Sequence, residues 1–217
     1  MERLMALGIA ATGLAFVLFL LLHLGGVSLA LLAPASFEQA AIGLHAWPGL
    51  VPLELTLAVV ALAHPALSLH RVLANRRARG PVAGPLHSRR SGADGALAAL
   101  AARAVPWSGA LLLVFLGVHL AQLRWHRPAP GQELAALLAV LGSPFGLALY
   151  VLAGACVALH LFHGHESAHR SLGLLDAANG GRIRIAGRLV AVGLGTGFAL
   201  LPVALLLRGP LPGGPLG

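Results

Sequence analysis

The sequence predicts an all-α integral membrane protein, a bundle of five spanning helices. Three observations carry that prediction. The 217 residues are 58% hydrophobic and only 10% charged, where a soluble domain runs near ~25% charged. Five stretches each supply the ~20 apolar residues that a membrane helix needs. All 15 basic residues are Arg, and they gather in alternate loops. Little polar mass is left over, so one domain over residues 1–208 is expected.

The first span is Leu4–Leu32. Its apolar run is about twice the length of a signal-peptide core, so it reads as a retained helix rather than a leader. The stretch after it, PASFEQAAIGLHAWPG, has Pro34 and Pro48 as breakers and reads as a short loop. The second span is Val51–Leu73. A Gly-, Pro- and Arg-rich connection follows, with a short helix expected over Ala93–Arg103. The third span is Val105–Trp125. After RWHRPAPGQE, the segment Glu133–Leu141 reads as a short helix along the membrane. The fourth span is Phe145–His165 and the fifth is Ile185–Leu207. Residues 209–217 are a Pro/Gly-rich tail expected to be disordered. No internal repeat is apparent. Cys156 is the sole cysteine, so an internal disulfide is excluded.

Arg placement sets an orientation. Twelve of the 15 lie with the N-terminus or in the loops after the second and fourth spans; Arg124, Arg127 and Arg208 lie on the other side. The positive-inside rule then puts the N-terminus in the cytoplasm and the C-terminus outside. The formal charge of +8 follows from this distribution and does not point to nucleic acid.

Four spans each carry a histidine: His23, His64, His119 and His160. An imidazole in hydrocarbon is costly and marks function by default. At about 1.5 Å per residue, counted from the Arg-rich ends, His64 and His160 fall in the inner half and His23 and His119 in the outer half. Each layer thus holds two histidines from two different helices. That layout suits two haems stacked across the membrane, each with two axial imidazoles. Two nitrogen ligands fill both axial positions, so such a haem carries single electrons. Small residues leave room for a flat macrocycle, and Gly13, Gly25, Gly26, Ser108, Gly109, Gly117 and Gly154 are suited to it. The competing reading is that each histidine only hydrogen-bonds to a neighbouring helix. A metal-ion transporter would bring more carboxylates to mid-membrane than Glu54. His163 lies on nearly the same face as His160 and is an alternative ligand. His70 and His165 lie near helix ends; His45, His87, His126 and His169 fall in loops.

At this point a family comes into view. RLMALGIAATGLAFVLFLLLHLGG with His23, His64 followed by NRRAR, SGALLLVFLGVHL with His119, and HLFHGHESAHRSLGL with His160 together resemble the cytochrome b membrane subunit of succinate dehydrogenase and fumarate reductase, in its single-chain, five-helix, two-haem form. The resemblance runs from Arg3 to about Leu207. It implies two b haems, one on His64 and His160 nearer the cytoplasmic face and one on His23 and His119 nearer the outer face. It implies a flavoprotein subunit and an iron–sulfur subunit docked on the cytoplasmic face of a bacterial cytoplasmic membrane, with quinone, suggested as menaquinone, as the membrane substrate. Succinate oxidation and fumarate reduction are both open. The sequence departs from the family at Gly26-Val27, where many relatives have Gly-Asn, and at Ala158, where some fumarate reductases carry Glu.

Quinone chemistry couples electrons to protons and needs a titratable group beside the outer layer. Glu54, about 15 Å along its helix from His64, is the candidate. Glu38, His45 and Trp47 follow behind it. Arg71, Arg103 and Arg124 sit where haem propionates or lipid phosphates would meet them. The rivals are the cytochrome b subunit of a hydrogenase or formate dehydrogenase, and a haem-free transporter or anchor.

Overall fold

The computed structural model describes residues 1–79 and 92–208. The residue 209–217 tail and most of the Arg-rich connection after the second span lie outside the described residues. Seven α-helices are present among the described residues: α1 Glu2–Leu32, α2 Pro34–Ala46, α3 Leu50–Arg79, α4 Gly92–Leu120, α5 Glu133–Leu141, α6 Pro144–Ser171 and α7 Gly180–Leu207. A short π-helical turn, Ala121–Trp125, continues α4. No strand occurs among the described residues. Five helices are long and apolar enough to cross a membrane: Glu2–Leu32, Leu50–Ala78, Ala96–Trp125, Pro144–Ser171 and Gly180–Leu207. The chain is therefore a multi-pass membrane protein in its architecture.

Two expectations are corrected. The segment taken as a short loop, PASFEQAAIGLHAWPG, is mostly helix α2. Pro34 is its first residue, where the missing N–H costs nothing and the fixed φ suits a helix. It therefore starts a helix instead of breaking one. The separate short helix expected over Ala93–Arg103 is fused with the third span into the single helix α4, which runs through Pro106. The predicted α5 is found at Glu133–Leu141.

Helices α6 and α7 make the most intimate contact. Along their seam Gly154 lies against Ala199, Gly195 against Ala158 and Gly187 against His165, so close that a Cβ on any of the glycines would collide. Residues 187, 191, 195 and 199 form a small-residue stripe in steps of four, and Ala191 is fully buried. Small residues let helix backbones approach closely in lipid, where dispersion and not water exclusion holds helices together. Of the small residues expected to make room for a macrocycle, Gly154 is thus spent on helix packing. A Cβ at Gly25, Gly26 or Gly117 would meet open space. By contrast, none of the most apolar stretch of α3 is buried.

The ends of the bundle differ. At one end Ser143 caps α6, its Oγ accepting the Gly146 amide at 2.9 Å, and the Arg208 guanidinium at the end of α7 donates to the Leu31 carbonyl of α1. Helices α2 and α5 lie here. Leu134 and Leu141 of α5 are packed with Ala30, Tyr150 and Leu205, with Phe37 of α2 against them. At the other end α6 passes to α7 through a turn held by Asp176. Its Oδ1 accepts the Ala178 and Asn179 amides, both at 2.8 Å, and Gly173 takes φ +72°, a conformation that favours glycine.

Candidate functional site

The four span histidines meet in two pairs. The His64 ring of α3 faces the His160 ring of α6, with centres 6.3 Å apart and planes at 66°. The His23 ring of α1 faces the His119 ring of α4 at 5.9 Å and 83°. Each pair joins helices distant in sequence. The imidazole facing His64 is thus that of His160, and not its neighbour His163.

The surroundings of each ring decide which nitrogen is free. His64 Nδ1 lies 2.9 Å from Thr12 Oγ1, and that hydroxyl already donates its hydrogen to the Gly8 carbonyl at 2.7 Å. His160 Nδ1 lies 3.3 Å from Ser108 Oγ, whose hydrogen goes to the Val105 carbonyl at 3.2 Å. His119 Nδ1 lies 3.0 Å from the Tyr150 hydroxyl, which donates to Gln122 Oε1 at 3.3 Å. In all three cases a carbonyl oxygen is in place to take the hydroxyl hydrogen, and in that arrangement the imidazole donates from Nδ1. The lone pair is left on Nε2, the arrangement by which a second hydrogen bond fixes the tautomer and ring of a metal-ligating histidine. His23 is held differently. It stacks on Phe19 at 5.3 Å and on Phe198 at 6.1 Å.

Glycine sets the seating of the inner rings. A Cβ on Gly13 would lie 3.3 Å from His64 Cε1, and one on Gly109 would lie 3.2 Å from His160 Cε1. Both imidazoles therefore rest directly on a neighbouring helix backbone.

The donor set fits a haem. Two imidazoles on opposite faces of one iron have ring centres roughly 6 Å apart, because a metal–imidazole bond is about 2.0–2.1 Å and each ring centre lies about 1.1 Å beyond its nitrogen. Both pairs match that spacing. Among the described residues no group of three or more His, Cys, Asp and Glu is arranged to hold a metal ion. Each pair offers two imidazole donors, the number a haem would take from the protein.

Thr12, Tyr150 and Gln122 were not legible as site residues, and Ser108 only as a small one. For Thr12 and Ser108 the sequence itself carries a signal. The chain does contain an internal repeat, without a gap, at a shift of 96 residues. It carries Thr12 onto Ser108, Gly13 onto Gly109, Phe19 onto Phe115, His23 onto His119, Pro34 onto Pro130, Pro48 onto Pro144 and His64 onto His160. The structure keeps the equivalence in space: Thr12 meets His64 as Ser108 meets His160. Phe115 stacks on His119 at 5.5 Å as Phe19 does on His23. Helices α1–α3 and α4–α6 are thus two copies of one unit, and α7 is outside the repeat.

Glu54 is the repeat partner of Tyr150. Its two oxygens take the Arg124 Nε and Nη2 at 2.6 and 2.8 Å. Arg124 is presented by the π-turn directly beyond His119. Glu38 and His45 lie on α2, and Trp47 follows that helix, half-exposed. Of the other arginines considered for propionates, Arg103 turns back to the Ala99 carbonyl at 3.3 Å. Compared with known proteins, the chain matches no family model, no curated protein and no solved structure.

Proposed function

We propose that this chain is a two-haem cytochrome b that carries electrons across a membrane, as the membrane subunit of a succinate:quinone oxidoreductase. One observation carries the reading: two facing imidazole pairs at bis-histidine spacing, with Nδ1 engaged on three of the four rings so that Nε2 is presented. A haem bound between such a pair supplies one-electron exchange at an iron closed to other ligands. The chain's own part is to hold the ligand rings. Thr12 and Ser108 fix the His64–His160 pair, and Tyr150 with Gln122 fixes His119. Apolar α6, α7 and their neighbours keep water from both layers.

The remaining assignments rest on the sequence resemblance and on Arg distribution. The Arg-rich end faces the cytoplasm of a bacterium, receiving an iron–sulfur subunit that bridges to a flavoprotein subunit. The α2/α5 end faces outward, and quinone, menaquinone by resemblance, reacts near His23 and His119. Glu54 is the proposed proton acceptor there, and it takes a proton only on leaving Arg124.

A reduced-minus-oxidised spectrum of the purified chain, with haem counted per polypeptide, tests the core of this. Two b-type haems are expected, with His64→Ala and His119→Ala each losing mainly one. A folded chain without haem would refute the reading. Co-purification of an iron–sulfur and a flavoprotein subunit separates this assignment from a cytochrome b of a hydrogenase or formate dehydrogenase.

A further inference from the structure

Outside the spans, one buried cluster of titratable groups has no part in the site described so far. Glu38 of α2 reaches across to the first turn of α5, where its oxygens accept the Glu133 amide at 3.2 Å and the Leu134 amide at 2.9 Å. Glu133 folds back, and its Oε2 accepts the Gly131 amide at 2.8 Å. Its side chain is 9% exposed, and Oε1 is buried with no hydrogen-bond partner. The nearest cation-forming group is His45 of α2, with Nδ1 4.0 Å from that oxygen. His45 Nδ1 donates to the Ala41 carbonyl at 2.7 Å.

Capping α5 explains Glu38, because a carboxylate at a helix N-terminus is favourable. It does not explain a second carboxyl beside it with an empty buried oxygen. An unpartnered buried polar atom is costly and calls for an explanation. The Glu38 and Glu133 carboxyls hydrogen-bond to each other, which needs one proton between them, carried by Glu38. Burial, chiefly, and the adjacent Glu133 hold the Glu38 carboxyl above its ordinary range, against the lowering effect of the Leu134 amide.

The cluster's position gives it a task. Helix α5 packs on Tyr150 through Leu134 and Leu141, and Tyr150 holds His119. The cover that α2 and α5 lay over this end is otherwise apolar, with Phe37, Leu137 and Leu138. The other charged groups here are the Glu54–Arg124 pair from α3 and the π-turn, Arg208 from α7, and His126 and Arg127 beyond the π-turn.

Resting on the reading above, we propose that Glu38, Glu133 and His45 form a proton-exchange station between the outer histidine layer and the surface. When a quinol is oxidised, its two O–H bonds break. The two electrons would be taken up by haems held on the two histidine pairs, and the two protons leave through Glu133 and Glu38, with His45 as the exit. Quinone reduction runs the same steps in reverse.

The test uses the purified full chain with its haems oxidised, mixed with a short-chain 1,4-naphthoquinol or with dithionite across a pH series. In Glu133→Gln and Glu38→Gln, haem reduction by the quinol is expected to slow about a hundredfold or more and to lose its pH dependence, the low end of the range for a lost proton-transfer group. Reduction by dithionite and the haem spectrum stay as in the parent. His45→Gln repeats the measurement without touching the α5 cap. Unchanged quinol rates in all three variants would overturn the station while leaving the two-haem reading intact. Equal slowing with quinol and dithionite would show a structural role and overturn it too. A parent without haem would sink the function reading itself.

Discussion

The two repeat units share a scaffold and differ in what surrounds it. In the second unit α6 is clasped by α7 along a glycine–alanine seam, and a third of its most apolar stretch is buried. In the first unit the equivalent helix α3 has no such cover. Leu55, Val59, Leu62 and Leu69 are more than half exposed. Yet His64 and His160 end in matching environments, each with a hydroxyl on Nδ1 and a glycine under the ring. Ligand geometry is therefore set within each unit by its hairpin of long helices. It does not depend on how deeply the unit is packed.

That contrast can be broken at its root. Gly154→Leu drives a branched side chain into the Ala199 backbone, whereas its repeat mate Ala58 is exposed. Gly154→Leu is expected to destabilise the bundle by about 3 kcal/mol and Ala58→Leu to be nearly neutral, as read by thermal unfolding in detergent. Similar effects from both would mean that α7 is not what distinguishes the units. The shared geometry is sharpened by removing the hydroxyls. Thr12→Ala is expected to weaken haem retention about tenfold, in the range for losing a partner of a metal-bound histidine. Ser108→Ala acts in the same direction but less, its contact being 3.3 Å against 2.9 Å. Haem-release kinetics would check both.

In the outer layer Tyr150→Phe leaves His119 Nδ1 without its hydroxyl partner and is expected to cost about 1 kcal/mol; on the proposed two-haem reading, spectral change is confined to one haem. The smallest effect belongs to Glu54→Gln. The Glu54–Arg124 pair is 35% and 42% exposed, so losing it is expected to change stability by about 0.5 kcal/mol. A melting shift as large as that of Tyr150→Phe would show that Glu54 supports the histidine layer directly.

The spans were legible because twenty apolar residues in a row have few other uses, and the four histidines stood out against that background. Helix α2 was missed for a specific reason. Proline reads as a breaker unless the first turn of a helix is considered, and Pro34 sits there. The repeat was missed because apolar residues replace one another freely on lipid-facing surfaces, leaving Thr/Ser12–108, Gly13–109 and the histidines as isolated matches in a sea of Leu, Ala and Val. The Nδ1 partners and the Glu38–Glu133 contact join residues tens of positions apart on different helices. Nothing in local pattern announces them until the helices are in place.

The seam between α6 and α7 also has a meaning in time. Helix α7 leaves the ribosome after the other six. Until it does, Gly154, Ala158 and His165 line a bare groove on α6, and of the groups set against the two histidine pairs Phe198, which stacks on His23, is still to come. The His64–His160 pair, set between α3 and α6, can thus form before the bundle closes. The arrival of α7 then latches that interior and adds the Phe198 ring against His23.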